Sequence, residues 1–187
     1  MKNKINMSLP DQLFKPERYT HKDYLLWKGD WELINGYPFA MAPSPNRTHQ
    51  WLTGKFIQIL RNQLDEKKSG CNCQAYSQLD WVVDNDTIVR PDCMIVCGEF
   101  TEDYLRFTPS LIIEISSHST KLKDRNTKYT LYEIKQVKYY IIADAENKTA
   151  EIFELAGDKY KLKLDFHFTL SPECMITIKL DSLWESM

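Results

Sequence analysis

The sequence predicts an α/β fold bordering on α+β, a mixed β-sheet flanked by helices. Three observations predict it. Apolar residues recur at helical spacing in two segments. Short β-branched and aromatic runs bounded by polar turn residues fill most of the remainder. One of the two helical segments lies between two strand-like runs, as in a βαβ unit. A chain of 187 residues buries one sizeable core without a second domain. The expected domain spans residues 1–187, with 1–18 as an N-terminal extension. A hydrophobic content of 43% and a charged content of 27% exclude a mainly disordered or fibrous chain.

Along the chain, Thr20 is placed to cap a short helix through Tyr24, Leu25, Leu26 and Trp27 that ends near Gly29. Residues 31–41 read as a β-hairpin, because Asn35-Gly36 tolerates the positive φ values of a tight type I′ turn. After Pro43 and Pro45, the spacing of Leu52, Phe56, Ile59, Leu60 and Leu64 predicts an amphipathic helix that stops near Gly70. Strands follow at 74–83, 88–97 and 110–116, then a helix at 120–134. The run at 137–143 is apolar on both faces, so it is expected to be a buried strand pairing in parallel with 110–116 through that helix. Hairpin-linked strands at 149–155, 159–164 and 174–180 complete the order.

A formal net charge of -2 excludes a strongly basic body that binds any polyanion. Locally, Lys121, Lys123, Arg125, Lys128, Lys135 and Lys138 stand against only Asp124 and Glu133. This basic surplus fits either a phosphate-facing surface or an ordinary solvated helix. With no signal-peptide core at the N-terminus and no run of about 20 apolar residues, a cytoplasmic protein without a membrane partner is expected. The five cysteines are an odd number in a chain too large to need staples, so reduced thiols are expected. Cys71-x-Cys73 and Cys93-x-x-x-Cys97 depart from the C-x-x-C spacing of structural zinc, which argues against zinc. The chain carries neither a Gly-rich phosphate loop nor a G-x-S-x-G elbow, so no nucleotide cofactor and no serine hydrolase is expected.

Chemistry is expected where charge interrupts apolar strands. Alternation in the segment 110–116 puts Glu114 on one face with Ile112 and Ser116, and a carboxylate there needs a partner, hydrogen bonds or a metal. Asp92 follows Arg90-Pro91 and opens the apolar run Cys93, Met94, Ile95, Val96. If the two strands are neighbours, both carboxylates reach one point and suit a hard, oxygen-seeking cation, with Mg²⁺ the natural candidate. Ordinary ion pairs are the alternatives: Asp92 with Arg90, and Glu114 with a lysine of the next helix. His49 and His118 each have a reading as a base or phosphate contact, but a capping or loop histidine is the commoner case, and both are left outside the core site.

Several motifs together resemble the Uma family of restriction-endonuclease-like proteins, within the PD-(D/E)XK superfamily. They are WELING at 31–36, VRPD at 89–92, SLIIEIS at 110–116, Asp124 with Lys128 and Tyr132, and VKYY at 137–140. The resemblance covers about 19–162. It implies a restriction-endonuclease-like fold in which Asp92 and Glu114 are the metal-binding acids and Glu32 is a further acidic position. The superfamily's usual lysine two residues after the second acid is Ser116 here. The resemblance assigns that role to Lys128 on the following helix, and helical spacing also puts Lys128, Leu131 and Tyr132 on one face. An Asp124–Lys128 surface pair is the alternative. The implied activity is Mg²⁺-dependent hydrolysis of DNA phosphodiester bonds, with Mn²⁺ as a substitute metal and the carbonyl of Ile115 as a third ligand. A homodimer is expected from the two-fold symmetry of a duplex. The competing expectation is a nucleic-acid-binding or regulatory protein that retains the fold with little or no catalysis.

Overall fold

Strand alternation sorts the apolar residues of 111–116 into two sets, and each set carries its own layer. The computed structural model of the protein describes residues 16–41, 46–66, 70–118 and 120–184. In chain order the elements begin with α1 (His21–Tyr24), β1 (Trp31–Ile34), β2 (Tyr37–Ala40), α2 (Arg47–Asp65) and β3 (Cys73–Ser77). Next come β4 (Trp81–Asp84), β5 (Thr87–Val89), β6 (Cys93–Cys97) and β7 (Leu111–Ser116). A π-helical stretch, Lys123–Lys128, then runs directly into α3 (Tyr129–Ile134). The chain closes with β8 (Tyr139–Asp144), β9 (Thr149–Ala156), β10 (Lys159–Lys163), β11 (His167–Ser171), β12 (Cys174–Thr177) and α4 (Asp181–Trp184).

The class is a mixed α and β one, as expected, but the strands form three sheets. The large sheet has the order β10-β9-β8-β7-β6-β3, a second has the order β2-β1-β5-β4, and β11 pairs with β12. β7 and β8 pair in parallel, from Leu111 against Tyr139 to Ser116 against Asp144, which is the expected βαβ unit. On one face of the large sheet, Leu111, Ile113, Ile115 and Ile141 pack beneath Leu52, Phe56 and Leu60 of α2 and Phe168 and Ile176 of the β11–β12 pair. On the other face, Met94, Ile112, Tyr140 and Ile142 pack against Tyr132 of α3 and Ile34, Trp81 and Val89 of the second sheet. Both faces of β7 and β8 are covered, which is why these strands read as continuous apolar runs.

Two expected strands are each divided between sheets. The run 74–83 breaks after β3, where Gln78 takes φ 52°, and the chain crosses to the second sheet as β4. The run 88–97 breaks at Arg90-Pro91-Asp92, leaving β5 in the second sheet and β6 in the large one. The proline cannot donate a ladder hydrogen bond, so the chain changes sheets there. The strand expected over 174–180 ends at Thr177, and its partner β11 was not anticipated. The expectation of reduced thiols is corrected: Cys71 pairs with Cys174, Cys73 pairs with Cys97, and Cys93 alone is free and buried. Cys73 and Cys97 are register partners on β3 and β6, and Cys174 lies 103 residues from Cys71, so the pairing depends on the fold rather than on local spacing.

Most of the expected N-terminal extension, residues 1–15, lies outside the described residues. Arg18 donates to the carbonyl of Asn35 at 2.8 Å and the Tyr19 amide donates to that of Gly36 at 2.9 Å, which ties this segment to the hairpin. At Gly36, with φ +77°, a Cβ would lie 3.0 Å from Cβ of Arg18 and 3.4 Å from the carbonyl oxygen of Tyr19. Gly36→Ala therefore combines left-handed strain with crowding, and we expect a loss of about 1–2 kcal/mol in urea unfolding. An unchanged midpoint would show that the turn relaxes freely. Among the described residues no helix is long and apolar enough to cross a membrane.

Candidate active site

Extending the β6–β7 register one step beyond the Cys93–Ile113 pair brings Asp92 opposite Glu114. Directly opposed side chains share a face, with Cβ atoms about 5 Å apart. Asp92 also accepts a hydrogen bond from the main-chain N–H of Ile115 at 2.7 Å, which fixes the carboxylate against the end of β7. The Arg90 alternative is excluded by geometry, because its guanidinium is held by Asp80 and Asp30, each at 2.6 Å. What Arg90 does supply is its main-chain N–H, donated to Glu32 at 3.0 Å.

Glu114 is buried at 3% exposure and takes both of its hydrogen bonds on Oε1, from Lys128 Nζ at 2.9 Å and the Tyr132 hydroxyl at 2.7 Å. The Lys128 ammonium, equally buried, also meets Glu32 Oε1 at 2.7 Å. Lys128 therefore bridges two acids instead of forming the i,i+4 surface pair with Asp124. Glu32 is fully buried and takes a second ammonium, from Lys123 at 2.6 Å. Strand alternation in β1 explains its position: Ile34 faces the large sheet, so Glu32 does as well.

The Lys123–Lys128 stretch follows the Ser117–Thr120 turn that closes β7. Its wider turn places both Asp124 and Lys128 in the interior. The hydroxyl of Ser116 donates to Asp124 at 3.0 Å, so the residue at the usual lysine position is committed to a neighbouring acid. The Tyr140 hydroxyl donates to the carbonyl of Asp124 at 3.0 Å.

Electrostatics separates these acids. Burial pushes the Glu114 carboxyl up to about 8, with Asp92, Asp124 and Glu32 adding to the rise and Lys128 opposing it. Burial also raises Asp124. For Glu32, burial acts upward but Lys128 and Lys123 outweigh it, and the carboxyl sits at about 2. The lysines thus neutralise Glu32 fully and Glu114 only in part.

One residue left outside the expected core site belongs to it. Asn46 caps α2 by accepting the N–H of His49, and the first turn so fixed carries Nε2 of His49 to 3.1 Å from Asp92. Burial lowers the pKa of His49, but the Asp92 carboxylate outweighs burial and holds it above the ordinary histidine value. Nδ1 of His49 is buried and, among the described residues, has no hydrogen-bond partner. No sequence signal could have paired His49 with Asp92, since they meet only when α2 packs on β6. His118, by contrast, is exposed and does not line the cleft.

These groups line an open cleft of about 1270 Å³, more space than a hydrated ion fills. Its walls carry five carboxylates, Asp30, Glu32, Asp92, Glu114 and Asp124, against the fixed cations Arg90, Lys123 and Lys128. Burial keeps a proton on Glu114 at neutral pH, so the cleft gains its full negative charge only when a cation displaces that proton. Among the described residues, the contacts of Asp92 fall on Oδ2 and those of Glu114 on Oε1, so each carboxylate keeps one oxygen toward the cleft. Ile115 lines the same cleft. This donor set is all oxygen and fits a hard cation.

The basic run beside the cleft is largely consumed within the molecule. Lys121 meets Asp144, Lys123 meets Glu32, Arg125 meets Glu151, Lys135 meets Asp84, and Lys138 donates to the carbonyl of Thr169. It is therefore not a free phosphate-facing surface.

A solved structure described as a putative nuclease belonging to DUF820, from Anabaena variabilis, is similar to this chain with a TM-score of 0.66 and 17% identity. The match covers 88% of this chain and 97% of the other, and at that identity it shows a shared fold. No curated protein matches the chain. The Uma2 family model, described as putative restriction endonuclease, matches residues 21–178. That span takes in all three sheets and every element of the cleft, and the chain belongs to the Uma2 family of putative restriction endonucleases.

Proposed function

We propose that this protein is a cytoplasmic, metal-dependent endodeoxyribonuclease that hydrolyses phosphodiester bonds in DNA as a homodimer. Asp92 and Glu114, with the main-chain carbonyl of Ile115, would hold Mg²⁺, or Mn²⁺ in its place. The observation that carries this reading is the opposition of Asp92 and Glu114 in a cleft that offers oxygen donors to a hard cation. Family membership supports the reaction class. When bound, the cation polarises the scissile phosphate and stabilises the leaving oxygen.

The protein's own groups divide the remaining work. Lys128 presents an ammonium where negative charge builds on the phosphoryl oxygens, and the Glu32 carboxylate 2.7 Å away positions it. His49 hydrogen-bonds Asp92 through Nε2 at 3.1 Å and so positions that carboxylate for the cation. In the reaction a water oxygen bonds to phosphorus, the bond from phosphorus to O3′ breaks, and the 3′ oxygen takes up a proton. His49→Ala is expected to lower the nicking rate about 10–100-fold at saturating metal, with His49→Gln recovering part of the loss. Equal rates in wild type and His49→Ala would assign the histidine to packing alone.

The test is relaxation of supercoiled plasmid by the full chain with Mg²⁺ or Mn²⁺, against EDTA and against Asp92→Asn. Metal-dependent nicking lost in Asp92→Asn supports the proposal; nicking retained in that variant overturns the site. The second reading, a binding or regulatory protein of the same fold, is favoured by the commitment of Ser116 to Asp124 and by the internal pairing of the basic run. Retention of DNA on the folded chain with no cutting under either metal would select it.

A further inference from the structure

We propose that Cys71, Cys73, Cys97 and Cys174 form a zinc site that fastens the β11–β12 sheet to the edge of the large sheet whenever the four thiols are reduced. The inference is independent of the nuclease reading. The sulfurs of Cys71, Cys73 and Cys174 all lie within 4.8 Å of one another, and Cys97 is bonded to Cys73. Tetrahedral zinc with four thiolates sets its sulfurs about 3.8 Å apart, given a Zn–S length of about 2.3 Å. Cys97 lies outside that group of three, so completing the tetrahedron takes a side-chain rotation that swings its sulfur away from Cys73 and toward the other two.

Each ligand comes from a different place in the fold. Cys71 precedes β3, Cys73 opens β3, Cys97 ends β6 and Cys174 opens β12. Strand pairing sets Cys73 and Cys97 side by side, and β12, held on α2 by the Thr177 amide donating to Gln63 at 3.1 Å, delivers Cys174. The local spacing argued against zinc because it compares cysteines within one segment. The tetrad is assembled across three segments.

The chemistry also separates this site from the acidic cleft. Cys73 and Cys174 pack in the core under α2, on the opposite face of the large sheet from Glu114. Soft thiolates select zinc, while the oxygen donors of Asp92 and Glu114 select a hard cation. With the thiols reduced, three sulfurs this close repel once ionised, and a divalent cation removes that repulsion. Zinc is a ligand and not a reactant here: four S–H protons leave, four Zn–S bonds form, and no electron moves.

The test uses the full chain purified under reductant without chelator. Zinc is counted by mass spectrometry of the native protein, and the metal is exchanged for Co²⁺. The expected result is one zinc per chain, a thiolate-to-cobalt charge-transfer band, and release of the metal by an organomercurial. Cys71→Ser and Cys174→Ser are expected to lose at least about tenfold in zinc occupancy, while Cys93→Ala and Asp92→Asn retain it. A folded, reduced wild type with substoichiometric zinc overturns the proposal. So does a cobalt complex without the sulfur band, or a wild type whose four cysteines remain disulfide-bonded after expression in a reducing cytoplasm. Because wild-type stoichiometry and the cobalt spectrum stand alone, a cysteine variant that fails to fold leaves the test intact.

Discussion

Lys128→Met is expected to cost about 3–5 kcal/mol of folding stability at pH 7, the range for breaking a buried charge pair by deleting one partner. Methionine fills the volume of the lysine stem, so the loss comes from charge and not from a cavity. It removes the ammonium that touches Glu32 at 2.7 Å and Glu114 at 2.9 Å, and both acids lie in the interior. Glu114 is already largely protonated at pH 7, so the cost falls mainly on the ionised Glu32, which keeps only Lys123 and the Arg90 amide. The cost should shrink as pH falls, because the stranded carboxyls are then neutralised by solvent protons. Urea unfolding across pH 4–8 reads both the size and the trend. A loss under about 1 kcal/mol that is flat with pH would mean that Lys128 is not the hub of this cluster.

Glu114→Gln is expected to separate function from stability. With its carboxyl near 8, Glu114 is largely protonated at pH 7 in the metal-free protein, and glutamine imitates that form. The amide oxygen still accepts from Lys128 and Tyr132. The melting temperature at pH 7 should hold or rise, while metal-dependent nicking falls on the order of 10³-fold, because a neutral amide binds a hard cation poorly. Parallel loss of both would reassign Glu114 to the structural core.

The pH profile of the metal-free wild type follows from the same two acids. Glu32 is depressed from an ordinary 4.5 to about 2, so its contribution is present above 4.5 and disappears as pH falls toward 2, about 3 kcal/mol in all. Glu114 is raised from 4.5 to about 8, so its contribution is full below 4.5 and disappears as pH rises through 8. Stability should therefore peak in the mildly acid range, and Glu114→Gln should flatten only the alkaline limb. Below about pH 8 a bound cation must also displace the Glu114 proton, so Mg²⁺ affinity should climb with pH and level off above that value. Titration calorimetry of the wild type at several pH values checks the climb.

Much of this site was legible in the sequence, for a definite reason. Asp92 and Glu114 interrupt runs that are otherwise apolar, and such interruptions are visible without a structure because burying a charge alone is costly. Lys128 was legible at helical spacing from Tyr132, and the family resemblance gave it a role. Glu32 carried a role only through that resemblance, because nothing within the hairpin indicates that it packs over the large sheet. His49 was read as a capping residue, and its contact with Asp92 is tertiary. The two divided strands were unreadable for a related reason: alternation continues across Gln78 and Pro91, while the chain moves to another sheet.

The π-helical stretch at Lys123–Lys128 makes the site depend on a count of residues as well as on their identities. A π turn accommodates one more residue than the α-helical path between the same ends, and the ends here are fixed by the Ser117–Thr120 turn and by Tyr132 on Glu114. Removing any one residue from 125–127 would let the helix close as an ordinary α-helix, with each position beyond the deletion turned by about 100°. Lys128 could then keep Glu114, or Asp124 could keep Ser116, but not both. Single-residue deletions in this stretch should therefore be more damaging than substitutions at the same positions, and homologous sequences aligned without regard to the extra residue would misplace the lysine by one.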